Sequence, residues 1–423
     1  MEYNIGFLLL CIVTSVLSYV VLTRGKQGKV KMFYAIFILL FTLYSGVGGA
    51  MTSVPQSYMG YYLYYLFVFT VASSLFNKWF FKSDTSYKSP VGIGLFISKY
   101  ASSIVLFYVI INLCQLVYPE NKLGNLIHPP SPDIMERLNF YREGGDSSVF
   151  HYLEILLTPF FYLSLYKYKN QIGKIILLLI GLLYITYCNN LYLGRETILV
   201  SLAIVYFAIY YNSSPKKRKI LLIMTIVAVP LGVLFFVYYS YLRVGQIADQ
   251  ISFADAMLLL FSQETNYPEL FSSYINQSGK LVGEYFEWLL LLPFPSFFKM
   301  GHGGTLFNEL FTNVSIDRYS WESGFSIALP GIVGEGIFIF KDSLFLHAII
   351  LAFIVSMTIY YVCKYEYYIF IYFYVLIKVP LGISRSGTQG VYSIIAKALI
   401  FVIFLYFYNN INRKRSLPQK SNT

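Results

Sequence analysis

Apolar stretches of membrane-crossing length recur along nearly the whole chain, and this repetition constrains the fold more than any motif. A helix needs about 20 apolar residues to cross a bilayer. Eleven stretches approach that length: about 3–23, 32–50, 58–81, 92–118, 151–167, 173–190, 194–211, 220–241, 343–363, 367–383 and 390–408. Charged residues make up only 13% of the chain and hydrophobic ones 57%, whereas a soluble domain carries about 25% charge. So little polar surface cannot cover a soluble protein. A soluble enzyme, a disordered tail and a secreted disulfide scaffold are therefore excluded. The expected fold is all-α: one integral membrane domain, a polytopic bundle of about eleven transmembrane helices. Cys11, Cys114, Cys188 and Cys363 sit in or beside the apolar runs and read as small hydrophobes, with neither metal spacing nor a disulfide framework.

The net charge of +11 does not imply nucleic-acid binding, because it concentrates in alternate short connections. Arg24–Lys31, Lys78–Lys88, Lys167–Lys174, Lys216–Lys219 and the tail from Arg413 to Lys420 are basic, and the connections between them are neutral or acidic. Lysine and arginine mark the cytoplasmic side, so the expected orientation is N-terminus out and C-terminus in, with 409–423 a basic cytoplasmic tail. No basic region precedes the first stretch, which therefore reads as a span and not as a cleavable signal peptide. The 41 tyrosines and 37 phenylalanines cluster at span ends such as Tyr58–Tyr65 and Tyr360–Tyr368. That suits an interfacial aromatic belt, although packing accounts for most of them equally well.

Two connections are long, and both fall outside. The first covers 119–150 and the second 242–342. Long loops are uncommon unless functional. Within the second, Phe253–Phe261, Tyr285–Phe298 and Ser323–Phe340 read as short helices lying on the membrane or dipping into it.

There is no Walker A motif, histidine-rich metal cluster, H-E-x-x-H or G-x-S-x-G. The inner connections are too short for a nucleotide-binding domain. Chemistry therefore belongs outside or within the membrane, on a substrate that arrives already activated, with no metal or cofactor expected. Arginine stands out. The long outer loops are net acidic yet keep Arg137, Arg142 and Arg318, and Arg195, Arg243 and Arg385 sit where spans meet the outer surface. Guanidinium matches phosphate oxygens bidentately, so converging arginines would suit a pyrophosphate whose lipid tail stays in the bilayer. Helix caps or lipid headgroups are the plainer explanation for each one alone.

Candidate bases are Glu335, desolvated in Gly334-Glu335-Gly336, then Glu322 beside Trp321, then His302 in Gly301-His302-Gly303-Gly304. Glu335 is equally well explained as a salt-bridge carboxylate. Lys378 and Lys397 lie in or near the last spans. Glu154 and His151 open a span. His347 and His128 look structural.

These features together resemble the bacterial O-antigen or polysaccharide repeat-unit polymerases (Wzy-type). The segments that carry the likeness are Gly194-Arg195-Glu196, Tyr241-Leu242-Arg243-Val244-Gly245, Ser326–Ile337 with Pro330 and Gly334-Glu335, and Ser384-Arg385-Ser386. The resemblance implies a fold similar to the GT-C membrane glycosyltransferases and a metal-independent glycosyl transfer between glycans carried on undecaprenyl pyrophosphate. It implies Arg195, Arg243 and Arg385 as pyrophosphate ligands, Arg318 and Arg142 as contacts to the second lipid-linked substrate, and Glu335, or else Glu322, as the base. Trp288 and Trp321 would be sugar-stacking faces. Partners would be lipid-linked glycans, membrane lipid and a chain-length regulator, in the bacterial cytoplasmic membrane. The alternatives are an O-antigen ligase, which a well-placed histidine such as His302 would favour, and a lipid-linked oligosaccharide flippase or other transporter.

Overall fold

In the hydrocarbon core a backbone N–H or C=O finds no water, so each spanning segment must pair its own polar groups, and an α-helix does so. The structure, a computed structural model, describes residues 4–51, 54–81, 91–118, 120–129, 149–190, 195–221, 223–224, 267–292 and 330–415. Among the described residues all regular structure is helical, with no strand. The helices are α1 (Ile5–Thr23), α2 (Gly28–Phe41), α3 (Gln56–Phe80), α4 (Val91–Gln115), α5 (Val149–Leu165), α6 (Ile172–Asn190), α7 (Arg195–Asn212), α8 (Val282–Leu291), α9 (Gly331–Phe340), α10 (Leu344–Lys364), α11 (Ile369–Ser386) and α12 (Gln389–Arg415).

Nine helical segments among the described residues are long and apolar enough to cross a membrane. They match nine of the eleven expected stretches. The expected 194–211 span appears as the shorter apolar helix Glu196–Asn212. Most of 220–241 lies outside the described residues, as do 130–148, 225–266, 293–329 and the tail from 416. The chain divides into two compact units. One comprises Met1–Asp84, Lys219–Tyr360 and Leu376–Ser393, and the other Thr85–Arg218, Tyr361–Val375 and Ile394–Thr423.

The core of the first unit is aromatic. Asn4 caps α1 by accepting from the Phe7 N–H at 2.9 Å. Phe33, Phe37 and Phe41 recur every fourth residue on α2 and so share one face. Phe37 stacks on Phe69 of α3 at 5.1 Å, and Phe41 on Tyr62 at 5.5 Å and Tyr65 at 6.0 Å. Tyr58, Tyr62 and Tyr65 are buried, while Tyr64 is exposed. The cluster expected as an interfacial belt at Tyr58–Tyr65 is thus mainly a core seam. Past Phe41 the chain runs as a π-helix over Thr42–Val47. The Tyr58 hydroxyl donates to the Ser45 carbonyl at 3.1 Å, and the Thr42 hydroxyl lies 2.6 Å from that of Ser15. Side chains from neighbouring helices thereby support the altered backbone ladder.

In the second unit α4 and α5 pack closely: Tyr108 stacks on Phe161 at 4.3 Å, and Phe160 meets Phe401 edge-on at 4.7 Å. Glu154 of α5 accepts from Gln115 at 3.0 Å and lies 3.3 Å from His151 Nδ1. Gly92 lies against α12. A Cβ there would stand 2.6 Å from Asn409 Oδ1 and 2.9 Å from the Asn409 Cα. Because a backbone atom cannot swing aside, Gly92→Ala is expected to destabilise this unit by about 1–3 kcal/mol. A melting curve of the purified protein in detergent reads that loss.

Candidate functional site

α9 is ten residues long, too short to span, and every one of its residues is buried. It does not lie on a surface, which corrects one of the two positions expected for 323–340; residues 323–329 lie outside the described residues. It ends at Phe340, and Lys341 takes φ 41°, the one positive-φ non-glycine among the described residues. On a continuous helix Glu335 and His347, twelve residues apart, would be separated by about 18 Å along the axis. Here His347 Nε2 lies 3.0 Å from Glu335 Oε1, so the chain folds back at 341–343. The Lys341 ammonium donates to the Ile275 carbonyl at 3.3 Å, and the Gly279 N–H to the Phe338 carbonyl at 2.9 Å, fixing the bend.

The glycines on either side of Glu335 allow this packing. A Cβ at Gly336 would meet Leu344 Cδ1 at 2.7 Å and His347 Nδ1 at 3.0 Å, and one at Gly334 the Tyr274 hydroxyl at 3.1 Å.

Glu335 and His347 are 2% and 0% exposed, and their partners continue in both directions. The Tyr65 hydroxyl lies 2.9 Å from His347 Nδ1. On the other side the Thr388 N–H donates to Glu335 Oε2 at 2.7 Å, and the Thr388 hydroxyl donates to Oε1. The Tyr285 hydroxyl lies 3.3 Å from Thr388 Oγ1. A buried charge is tolerated only when paired and hydrogen-bonded, and this carboxylate receives three donors from its own chain. With Glu335 ionised, Nε2 of His347 carries a proton and Nδ1 is left to accept from Tyr65. Burial, with the Glu335 charge adding to it, holds the Tyr285 hydroxyl well above its usual pKa, so it is a neutral donor.

Thr388 follows Gly387, whose φ is +80°. A Cβ at Gly387 would overlap Glu335 Oε2 and stand 2.8 Å from Cδ. The backbone of this turn therefore rests directly on the carboxylate. Arg385, the last arginine of α11, is half-buried two residues before Gly387.

Of the expected site residues, Glu335 is at the centre of this assembly, and Arg385 lies in the last turn of α11, two residues before Gly387. Arg195 opens α7 in the other unit, and its side chain is outside the description. Arg142, Arg243, Arg318, Glu322 and His302, with Trp321, lie outside the described residues. Trp288, expected as a sugar platform, is 1% exposed, tilted against Tyr285 at 5.2 Å and stacked on Tyr392 at 6.4 Å; it is a packing residue. Lys397 rides on the Tyr152 ring at 5.2 Å. His347, read from sequence as structural, is the direct partner of Glu335. Thr388 drew no notice in the sequence, and Tyr65 was read only as the end of the Tyr58–Tyr65 aromatic cluster. The available signal was a second ionisable residue within one apolar segment, which marks a functional position. Among the described residues no group of three or more His, Cys, Asp or Glu side chains is arranged to hold a metal.

The architecture defines a multi-pass helical membrane protein. Comparison with protein-family models, with curated proteins and with solved structures finds no match to this chain.

Proposed function

We propose that the protein is a membrane glycosyltransferase that polymerises undecaprenyl-pyrophosphate-linked oligosaccharide repeat units at the outer face of the bacterial cytoplasmic membrane. The observation that carries this reading is Arg385 in the last turn of a candidate span, two residues before a turn anchored to a buried carboxylate. A guanidinium at a fixed place on the helix end suits a recurrent oxyanion, whose oxygens its planar fork matches.

In the proposed reaction a hydroxyl of the incoming lipid-linked unit attacks the anomeric carbon of the donor glycan. A new C–O glycosidic bond forms and the anomeric C–O bond to pyrophosphate breaks. The hydroxyl proton passes to a base, Glu335, Glu322 or His302, and undecaprenyl pyrophosphate leaves with the bonding pair. Developing charge on the leaving group is what preorganised cations stabilise, the role given to Arg195, Arg243 and Arg385. Arg318 and Arg142 contact the acceptor lipid. A chain-length regulator is the partner this reaction would need.

A second reading draws on the depth of the Glu335–His347 pair: ionisable pairs enclosed by helices also serve transporters, here a flippase for the same lipid-linked glycan. An O-antigen ligase shares the donor. One gel separates the three. Arg385→Ala or Arg243→Ala, expressed at wild-type level in the membrane of a deletion strain, is expected to leave single repeats attached and no ladder. No attached glycan would favour ligase or flippase, and a normal ladder would end the pyrophosphate role.

A further inference from the structure

Glu335 receives the His347 Nε2–H and the Thr388 hydroxyl on one oxygen and the Thr388 N–H on the other, at 2% exposure. A carboxylate offers about four acceptor positions, so little is left for a sugar hydroxyl. Everything it holds on the far side belongs to the Gly387–Thr388 turn, which directly follows the helix end that carries Arg385. We infer that Glu335 is a positioning residue: with His347 it fixes the Gly387–Thr388 backbone, and through that backbone Arg385, so that the guanidinium is preset for a diphosphate. This rests on the reading of Arg385 as a pyrophosphate ligand. It departs from the general-base role for Glu335. The groups that face the pair are Tyr65 from α3, Tyr285 from α8 and Thr388, with Tyr274 against the adjoining Gly334. None of these supplies a formal charge, so the dyad is held by hydrogen bonds.

Glutamine at 335 tests this directly. Its carbonyl can keep the Thr388 N–H while its amide N–H turns to His347, which then has to accept at Nε2 and donate from Nδ1 to Tyr65. Position is preserved and the carboxylate's basicity is lost. The chain has four histidines, so side-chain 15N spectra of the histidine-labelled, detergent-solubilised full-length protein can follow His347. Wild type is expected to carry a proton on Nε2, and Glu335→Gln to lack it there. Thermal-shift titration with inorganic pyrophosphate then reads the anion site. Glu335→Gln should bind within about threefold of wild type, and Glu335→Ala and Arg385→Ala at least about tenfold more weakly. Should Glu335→Ala not fold, Thr388→Val, which loses one of the two bonds to the turn, is expected to weaken binding by about threefold.

Equal loss in Glu335→Gln and Glu335→Ala would overturn positioning and return the carboxylate charge to the chemistry. Weak binding in Arg385→Ala with wild-type binding in both Glu335→Ala and Thr388→Val would overturn the inference and leave the pyrophosphate reading intact. Wild-type binding in Arg385→Ala would overturn the anion reading, and the link through Arg385 with it.

Discussion

Replacing Gly387 with alanine is expected to remove most of the folded protein. Two effects act at once. The residue sits at φ +80°, where an L side chain costs about 1–2 kcal/mol. The added methyl also overlaps a carboxylate oxygen that cannot retreat, because Glu335 is tied to His347 and twice to Thr388. Together they place the loss at about 4 kcal/mol or more. A Cβ at 387 lies 3.4 Å from the Glu335 Cβ, an ordinary contact, so Gly387→Ala combined with Glu335→Ala keeps the φ strain and loses the overlap. The loss in the double variant should therefore fall well short of the sum of the two single losses, a large departure from additivity. A Gly387→Ala protein that melts with the wild type would show that the turn does not rest on Glu335.

The second large effect is at the pair itself, and it is unequal. Truncating one member of a buried hydrogen-bonded pair costs about 1–3 kcal/mol, chiefly through the polar groups left unpaired. Glu335→Ala strands three donors: His347 Nε2, the Thr388 N–H and the Thr388 hydroxyl. His347→Ala leaves Glu335 still bonded to Thr388 and strands the Tyr65 hydroxyl. Glu335→Ala is thus expected at the upper end of that range and His347→Ala at the lower, with the double variant well short of their sum. Chemical or thermal unfolding in detergent provides all three values. If His347→Ala proves the more damaging, the network is not organised around the carboxylate.

The spans were legible because length and apolarity are written locally: the stretch read as 343–363 is the helix Leu344–Lys364. Glu335, which the structure buries, was legible as a carboxylate in an apolar stretch. The pairing of Glu335 was not. It depends on a reversal at Lys341, a residue type that does not advertise positive φ, and nothing near His347 in sequence indicates that a carboxylate twelve residues earlier returns to it. Thr388 is invisible for the same reason, since it lies 53 residues beyond its partner. Trp288 was read as a sugar platform because it falls in a long outer loop. Its enclosure depends on Tyr392, about a hundred positions later, which no local pattern reveals. The sequence left belt and packing open for the Tyr58–Tyr65 aromatics because periodicity tells which residues share a face but not whether lipid or another helix covers it.

The enclosed ten-residue helix also dictates an order of assembly. A segment that short cannot partition into lipid by itself during synthesis, and it emerges from the ribosome with an acidic group whose anchoring turn has yet to be translated. Its hydrogen-bond partners at Thr388 exist only once α11 and the turn after it have been made, so the helix can reach its final place only afterwards. A chain terminated between Phe340 and Thr388 would leave the Glu335 carboxylate without the two donors that Thr388 supplies.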